Sequence, residues 1–338
     1  MNNKMKIIIP MAGIGKRMRP HTLTVPKPLI RIAGKPIVQR LIEEIVKVCQ
    51  ETVDEIDFVI SDFGKDVENQ LITIAKNVGA KGKIYYQNEP LGTAHAILCA
   101  EKSLYGKTII AFADTLFKTN FTLDQSKEAI IWTSKVKDPS AFGVVKIDSN
   151  NIITDFIEKP LQPVDTNLAI IGIYYFKKGE YLKDELKYLI AHKIQKNGEY
   201  QITDALQNMM EKGTSFYTNS IEEWLDCGNK DATVHANKRI LEFNKNENLV
   251  SLSAKIHNSI IIKPCFIGDN VYIKNSIIGP YVSVGENSCI EKSVINNSII
   301  QMETKVSFVN IENSMIGNHV ELTGKQNDVS IGDYTILK

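Results

Sequence analysis

A short run near the start of the chain combines glycines with a dense set of cations. Residues 10–20 read Pro-Met-Ala-Gly-Ile-Gly-Lys-Arg-Met-Arg-Pro, and Lys27 follows closely. Backbone N–H groups of a glycine-containing loop can approach a phosphate, and lysine and arginine pair with its oxygens. This composition suits a polyphosphate site, and taken alone it suits an ordinary basic surface loop equally well.

Two familiar phosphate-binding motifs do not match this loop. The dinucleotide fingerprint G-x-G-x-x-G fails because Met18 occupies its last position. The P-loop pattern G-x-x-x-x-G-K-[ST] fails because Pro10 stands at its first position and Arg17 follows the lysine. The sequence therefore predicts neither a standard dinucleotide site nor a P-loop.

The elements that must position this loop alternate between strands and helices. Met5–Pro10 reads as a buried strand that ends at the loop, and Ile37–Gln50 carries its aliphatic residues on one helical face. Further strand-like and helical runs alternate up to residue 113, and from about residue 128 the pattern becomes more mixed. Helices are predicted at residues 67–78, 94–104, 180–194 and 203–212, and from about residue 230. We predict an α/β domain with a mostly parallel, Rossmann-like sheet and ligands at the carboxyl ends of its strands.

Beyond a polar linker at residues 245–248, the chain changes to a short repeat. Aliphatic residues recur every five or six positions, often followed by glycine, which is typical of a parallel β-helix with three short faces per coil. Ser259, Ser276 and Ser293 each precede two aliphatic residues and lie 17 residues apart, and Ser298, Ser314 and Ser330 continue with steps of 16. A plain β-sandwich would not give so regular a period. We therefore predict two domains, 1–245 and 246–338.

Composition restricts the classes of partner. The formal net charge is +1, which argues against a nucleic-acid-binding protein, and no run approaches the ~20 apolar residues that span a bilayer. The five cysteines include no C-x-x-C pair, so no zinc ribbon or thioredoxin-like site is indicated. We expect a cytoplasmic protein with buried thiols and with neither a nucleic-acid nor a membrane partner.

The segments quoted next resemble one enzyme family. The loop pattern Gly13-x-Gly15-x-Arg17-Met-x-Pro is followed by Pro26-Lys-Pro-Leu and then by Gly34-Lys-Pro. This long, gapped signature resembles the sugar-1-phosphate nucleotidyltransferases, with one departure: Lys16 stands where the family usually has threonine. The C-terminal repeat is similar to the left-handed β-helix that some members carry.

The resemblance implies a role for each matching residue. It places the nucleotide on the loop and on the segment Gln87-Asn-Glu-Pro-Leu-Gly92, where Gln87 would read a pyrimidine edge. The implied nucleotide-binding residues are Ala12, Gly13, Gly15, Lys16, Gln87 and Gly92. The implied sugar-binding residues are Gly143, Glu158, Asn167 and Gly172. The implied catalytic residues are Arg17, Lys27 and Lys159, and Asp114 and Asp226 would hold Mg²⁺.

The activity implied is transfer of a nucleotidyl group from a nucleoside triphosphate to a sugar 1-phosphate. UTP or dTTP and glucose 1-phosphate are the expected substrates, with GTP and mannose 1-phosphate as the alternative. A phosphate nucleophile needs no general base, so His21 and His95 are not offered as catalytic. A non-catalytic nucleotide-sugar sensor and a second, acyltransferase activity at the repeats are further alternatives. We expect the β-helix to mediate formation of a homo-oligomer.

Overall fold

The computed structural model describes residues 4–160, 162 and 164–325. The chain folds into two compact units. The first runs to Ile30 and resumes from Pro36 to Gly228, and the second contains Arg31–Lys35 and the chain from Asn229 onward. The predicted boundary at 245/246 stays a prediction about where the repeats begin. Ser330, which continues the predicted serine spacing, lies outside the described residues.

The helices match the predicted segments to within a few residues, except where noted below. They are α1 (Ile37–Cys49), α2 (Lys65–Asn77), α3 (Thr93–Leu98), α4 (Gly179–Ala191), α5 (Ile202–Glu211) and α6 (Lys230–Phe243). Short 3-10 turns occupy Lys16–Met18, Lys27–Leu29 and Glu101–Ser103. Among the described residues, no helix combines the length and the apolar character that crossing a membrane requires.

The strands before the repeats include five that the sequence patterns did not predict: the second, third, seventh, twelfth and thirteenth along the chain. They are β1 (Met5–Pro10), β2 (Arg31–Ile32), β3 (Lys35–Pro36), β4 (Val53–Ile60), β5 (Lys81–Tyr86), β6 (Thr108–Ala111), β7 (Thr115–Lys118), β8 (Ala129–Lys135), β9 (Gly143–Ile147), β10 (Ile153–Glu158), β11 (Leu168–Phe176), β12 (Phe216–Ser220) and β13 (Glu223–Asp226).

The main sheet of the first unit has the order β10-β9-β11-β6-β1-β4-β5, with β8 beside β11 and β12 beside β8. Strands β6, β1, β4 and β5 run parallel, and β11 pairs antiparallel with β6. The chain leaves β1 for β4 on one side and later returns to β6 on the other, so the connections diverge at the carboxyl ends of β1 and β6. In an open α/β sheet this is where ligands bind.

The helix predicted over residues 94–104 is shorter in the structure, which is a correction. Helix α3 ends at Leu98, and the chain continues through a single 3-10 turn. That turn buries Ser103, which is 1% exposed and donates a hydrogen bond to Glu55 Oε1 at 2.9 Å. A polar side chain buried in this way is satisfied by its partner on β4, and helical propensity alone does not reveal such a contact.

A pair of acidic side chains is buried on strand β4. Asp57 is fully buried, and Glu55 is 7% exposed and forms an ion pair with Lys83 on β5. Burial and the neighbouring Glu55 carboxylate raise the pKa of Asp57 to about 8, whereas Lys83 and Ser103 lower the pKa of Glu55. The native state therefore binds a proton on Asp57 at neutral pH that the unfolded chain releases.

We expect Asp57→Asn to raise the free energy of unfolding at pH 8 and to leave it nearly unchanged at pH 4. With its native pKa raised, the carboxyl group costs the wild type stability as pH rises from about 4, the unfolded pKa, through the native pKa. Urea unfolding at several pH values checks this, with Asp66→Asn on the exposed start of α2 as control. A gain that is the same at every pH would contradict it.

The second unit contains a parallel β-helix, as predicted. Its strands are β14 (Lys255–His257), β15 (Ile260–Ile261), β16 (Phe266–Ile267), β17 (Tyr272–Lys274), β18 (Ile277–Ile278), β19 (Ser283–Val284), β20 (Cys289–Glu291), β21 (Val294–Ile295), β22 (Ile299–Ile300), β23 (Lys305–Ser307), β24 (Asn310–Ile311), β25 (Met315–Ile316) and β26 (Glu321–Thr323). Every third strand pairs in parallel, giving three stacked sheets. Ile273 pairs with Ile290, and Ile290 with Val306, which are steps of 17 and 16 residues.

One face of the β-helix is covered by α6 and by the residues around β2 and β3. Asn237 of α6 is fully buried, and its Oδ1 accepts hydrogen bonds from Ala33 N–H at 3.0 Å and from Ser283 Oγ at 2.6 Å. Gly34 has φ +85°, and a methyl group there would come within 2.3 Å of the Phe266 ring. The segment 31–35, far from the repeats in sequence, is thus part of their packing.

We expect Ile290→Ala to destabilise the β-helix strongly. Its side chain is fully buried between the coils that carry Ile273 and Val306, and truncation leaves a cavity that costs about 2–5 kcal/mol. The matched control is Ile262→Ala, because that isoleucine of the same unit is 42% exposed. Denaturant unfolding followed by circular dichroism compares the two, and equal losses would contradict this packing.

Candidate active site

The glycine loop is held open by hydrogen bonds within its own segment and from the residue that follows strand β4. Gly15 has φ +61°, and a methyl group there would lie 3.0 Å from Thr22 Cγ2 and 3.2 Å from Lys27 Cβ. Thr22 Oγ1 donates to Gly15 O at 2.9 Å, and Ser61 Oγ, just after β4, donates to Ala12 O at 2.7 Å. Gly15 is therefore required both for its left-handed backbone and for the close approach of Lys27.

The basic side chains of the loop project from one tight turn. Lys16 and Arg17 are exposed, whereas Met18, which follows them, is fully buried and anchors the 3-10 turn. Gly13 has no neighbour within 4 Å of the position that a Cβ would occupy. The loop thus combines accessible backbone with two exposed cations, as an anion-binding loop requires.

Two aspartates are brought together by the small sheet of β7 and β13. Asp114 directly precedes β7 and Asp226 ends β13, where it pairs with Thr115, and Cys227 N–H donates to Asp114 O at 2.9 Å. Lys27 Nζ forms an ion pair with Asp114 Oδ2 at 2.7 Å. The two carboxylates and the lysine therefore form one cluster, although they are far apart along the chain.

The electrostatics of this cluster are unfavourable for Asp226. Burial, and then the charge of Asp114, raise the pKa of Asp226, while the Gly228 N–H, Lys27 and Arg17 oppose the rise. Gly228 donates to Asp226 Oδ1 at 2.9 Å, and a methyl group on this glycine would come within 3.1 Å of Arg17 Nη2. Arg17 and Asp226 thus flank the same glycine.

A second wall is formed by the segment after β5. Gln87, 9% exposed, donates from Nε2 to Gly92 O at 3.2 Å and lies 3.1 Å from His95 Nδ1. Gly92 has φ +104°, and a methyl group there would meet the backbone of Tyr200 at 2.5 Å. A glycine is therefore required at position 92 by packing within the protein itself.

The predicted catalytic lysine and the predicted sugar-binding residues lie around the β9–β10 hairpin and strand β11. Gly143 pairs with Glu158, whose Oε2 accepts from Thr203 Oγ1 at 3.0 Å, and Lys159 Nζ lies 3.8 Å from Glu158 Oε1. Asn167 contributes its carbonyl to Val136 N–H at 3.0 Å.

Gly172 links strand β11 to the chain just after β6. It has φ +83° in the irregular part of β11, and its carbonyl accepts from Phe112 N–H at 2.9 Å. The hydrogen bond ties β11 to the two residues that lead into Asp114. Gly172 is therefore needed for its backbone conformation beside the aspartate cluster.

Between these walls lies a cleft with a volume of about 290 Å³. Of the predicted site residues, its lining contains Ala12, Gly13, Gly15, Lys27, Gln87, Gly92 and Asp114. Within the described residues, the other predicted site residues do not line the cleft: Lys16, Arg17, Lys159, Gly143, Glu158, Asn167, Gly172 and Asp226. The cleft thus joins the glycine loop to the Gln87–Gly92 wall and reaches the aspartate cluster at Asp114.

The model of the family described as nucleotidyl transferase matches residues 6–242. The chain belongs to the nucleotidyl transferase family. The match covers the first unit and extends almost through α6, so the cleft lies inside the family's own region.

Two curated relatives and one solved structure resemble the chain along most of their length. A glucose-1-phosphate thymidylyltransferase of Streptomyces antibioticus is 30% identical, covering 94% of each chain. A bifunctional protein GlmU of Methanocaldococcus jannaschii is 29% identical over 93% of this chain and 78% of that protein. A crystal structure of UDP-glucose pyrophosphorylase complexed with UDP-glucose superposes with a TM-score of 0.59 and 24% identity, covering 71% of this chain and 99% of that one. The solved structure supports the fold of this nucleotidyl transferase.

Several residues that shape the site were not singled out from the sequence. Thr22 holds the glycine loop, Thr203 holds Glu158, and the backbone of Tyr200 packs on Gly92. Thr203 and Tyr200 are far from their partners in sequence and carry no local pattern. Gly228, which donates to Asp226, could have been found from the sequence, because it lies two residues after that predicted metal ligand.

We expect Asp226→Asn to raise the unfolding temperature of the nucleotidyl transferase by a few degrees at pH 7 in buffer with a metal chelator. The raised pKa means that the ionised carboxylate destabilises the native state, and this cost grows as pH rises through the native pKa. The amide can still accept from Gly228 N–H. Scanning calorimetry at pH 7 and at pH 4 checks the sign, and the gain should shrink at pH 4.

Asp114→Asn is the matched control for this experiment. It removes the same repulsion but also takes the charged partner from Lys27, so we expect a smaller gain or a loss. A fall in the unfolding temperature of Asp226→Asn at pH 7 would contradict the electrostatic account.

Proposed function

We propose that this nucleotidyl transferase joins a nucleoside triphosphate to a sugar 1-phosphate, giving a nucleotide-sugar and pyrophosphate. A phosphate oxygen of the sugar 1-phosphate attacks the α-phosphorus, and the bond from that phosphorus to the β-phosphate bridge breaks. The observation that carries the proposal is the convergence of Lys27, Arg17, Asp114 and Asp226 beside the cleft. The bond-forming oxygen is already anionic, so positioning and charge neutralisation carry the catalysis.

The glycine loop would hold the triphosphate in this proposal. Backbone groups at Ala12, Gly13 and Gly15 line the cleft, and the exposed Lys16 and Arg17 follow on the next turn. Arg17 would bind the leaving pyrophosphate, since its guanidinium offers paired donors to phosphate oxygens. Lys27, half-buried in the cleft, would offset charge near the α-phosphate.

The acidic pair fits a divalent cation in the donor set that it offers. Asp114 and Asp226 supply only carboxylate oxygens, and burial together with repulsion from Asp114 already raises the pKa of Asp226. A hard cation such as Mg²⁺ prefers oxygen ligands and would relieve that repulsion. When bound, it would neutralise phosphate charge during transfer. Lys27 meanwhile neutralises Asp114 directly, at 2.7 Å.

The sugar phosphate would bind around the β9–β10 hairpin. The hydrogen bond from Thr203 fixes Glu158, which would accept hydrogen bonds from sugar hydroxyls. Gly143 lies beside it, and a Cβ at that position would be 3.1 Å from Glu158 Oε2. The absence of a side chain at Gly143 therefore leaves room next to this carboxylate. Lys159, whose side chain is 60% exposed, is long enough to meet the phosphate of the nucleophile. Asn167 and Gly172 would support this wall through their backbones.

The substrates favoured are UTP or dTTP with glucose 1-phosphate. Gln87 on the wall of the cleft supports a pyrimidine with an N–H edge, and the similarity to a glucose-1-phosphate thymidylyltransferase supports the sugar. The β-helix, whose aliphatic residues Ile260, Ile277 and Val294 are exposed on one face, is proposed to mediate assembly into a homo-oligomer in the cytoplasm.

The test is pyrophosphate release from UTP, dTTP, GTP, ATP and CTP, each with glucose, mannose and N-acetylglucosamine 1-phosphates and Mg²⁺. We expect one preferred pair, and a loss of at least about a hundredfold in kcat/KM in Asp114→Ala and in Asp226→Ala, because each removes charge stabilisation of several kcal/mol.

Asp66→Ala, on the exposed first turn of α2, is the control for loss of an acidic side chain and should retain full activity. Turnover that survives in both aspartate variants would overturn the assigned roles. Absence of turnover with every pair would overturn the proposed function.

A further inference from the structure

The side chain of Gln87 has both amide hydrogens engaged by the protein. Its Nε2 lies 3.2 Å from Gly92 O and 3.1 Å from His95 Nδ1. The two partners lie on the same short segment, at the N-cap of α3 and within its first turn. Gln87 lines the cleft and His95 does not, so the histidine approaches the amide from outside the cleft.

These two contacts fix which way round the amide stands. A backbone carbonyl can only accept a hydrogen bond, so Gly92 O requires the NH₂ group and would repel Oε1. The amide nitrogen can only donate, so His95 Nδ1 must be the acceptor. Nδ1 then carries no hydrogen, and the ring N–H lies at Nε2. The Gly92 contact orients the amide, and the His95 contact fits that orientation when Nδ1 is the acceptor.

Only the carbonyl oxygen of Gln87 then remains to face a ligand in the cleft. Among the described residues no group donates to Oε1. An acceptor at this position selects a base edge that carries a ring N–H, as uracil, thymine and guanine do. Cytosine and adenine present a ring nitrogen acceptor at the corresponding edge, and the two lone pairs would repel.

We infer that His95 is a positioning residue that, together with the Gly92 carbonyl, holds the polarity of the base-reading amide and so excludes cytosine and adenine nucleotides. This inference rests on the proposed function and deepens it, because it names the feature of the base that is read. His95 does not contact the substrate. It acts by accepting the second hydrogen of Gln87 Nε2 and thereby opposing rotation of the amide.

Two substitutions separate the hydrogen bond from mere packing. In His95→Asn the side-chain Oδ1 takes the place of Nδ1 and keeps an acceptor for Gln87. In His95→Leu a methyl group takes that place and no acceptor remains. We expect His95→Leu to reduce the ratio of kcat/KM for UTP over CTP by about fivefold to tenfold, the equivalent of one hydrogen bond, and His95→Asn to keep the wild-type ratio.

The assay is pyrophosphate release with the preferred sugar 1-phosphate, supported by calorimetric binding of UTP and CTP to each variant. Thermal unfolding of both variants measures any general loss of structure, which would lower turnover with the two nucleotides together and leave their ratio unchanged. Equal ratios in His95→Leu and the wild type would overturn the inference, as would equal loss in His95→Leu and His95→Asn.

The failure of the inference is distinguishable from the failure of the proposed function. A wild-type preference for CTP or ATP, with turnover lost in Asp114→Ala, would overturn the role of His95 and leave the proposed reaction standing. Absence of turnover and of nucleotide binding in the wild type would overturn both.

Discussion

The candidate active site of the first unit is built around two carboxylates, Asp114 and Asp226, held side by side where water is partly excluded. Like charges at close range repel, and burial removes the solvent that would screen them. The backbone hydrogen bond from Cys227 to Asp114, and the β7–β13 ladder, impose this proximity regardless of the charge. The cations Lys27 and Arg17 reduce its cost. An arrangement that destabilises the native protein yet is held so firmly by its backbone is typical of a functional site.

The constraint reaches the glycines around it. A side chain at Gly228 would force the terminal atoms of Asp226 and Arg17 to shift. At Gly15 the positive φ of +61° and the closeness of Thr22 and Lys27 disfavour one. Gly172 connects the cluster to the main sheet, because its carbonyl accepts a hydrogen bond from Phe112 N–H, two residues before Asp114. Three glycines far apart in sequence thus serve one cluster, which accounts for motifs on separate strands whose spacing along the chain has no period.

The parts of the fold that the sequence could predict are those with a repeating burial pattern. Helix α1 and strands β1 and β11 follow the periodicity of their aliphatic residues, and the β-helix follows its 17- and 16-residue coils. Strand β13 could not be predicted in this way because its burial comes from pairing with β7, and neither run is apolar throughout. The candidate residues were found from motif resemblance, whereas Thr203 and Tyr200 meet the site only through tertiary packing.

Motif resemblance also leaves open what a residue presents to its ligand. Glutamine carries a donor and an acceptor on one rotatable group, so its presence on a base-facing wall is compatible with any base edge. The direction of the amide is decided by its partners within the protein, here a glycine carbonyl and a histidine nitrogen on the following turn. Specificity in such a cleft is therefore a property of the polar contacts behind its lining. The base specificity can be predicted only when the hydrogen-bond partner of each donor and acceptor around the cleft has been identified.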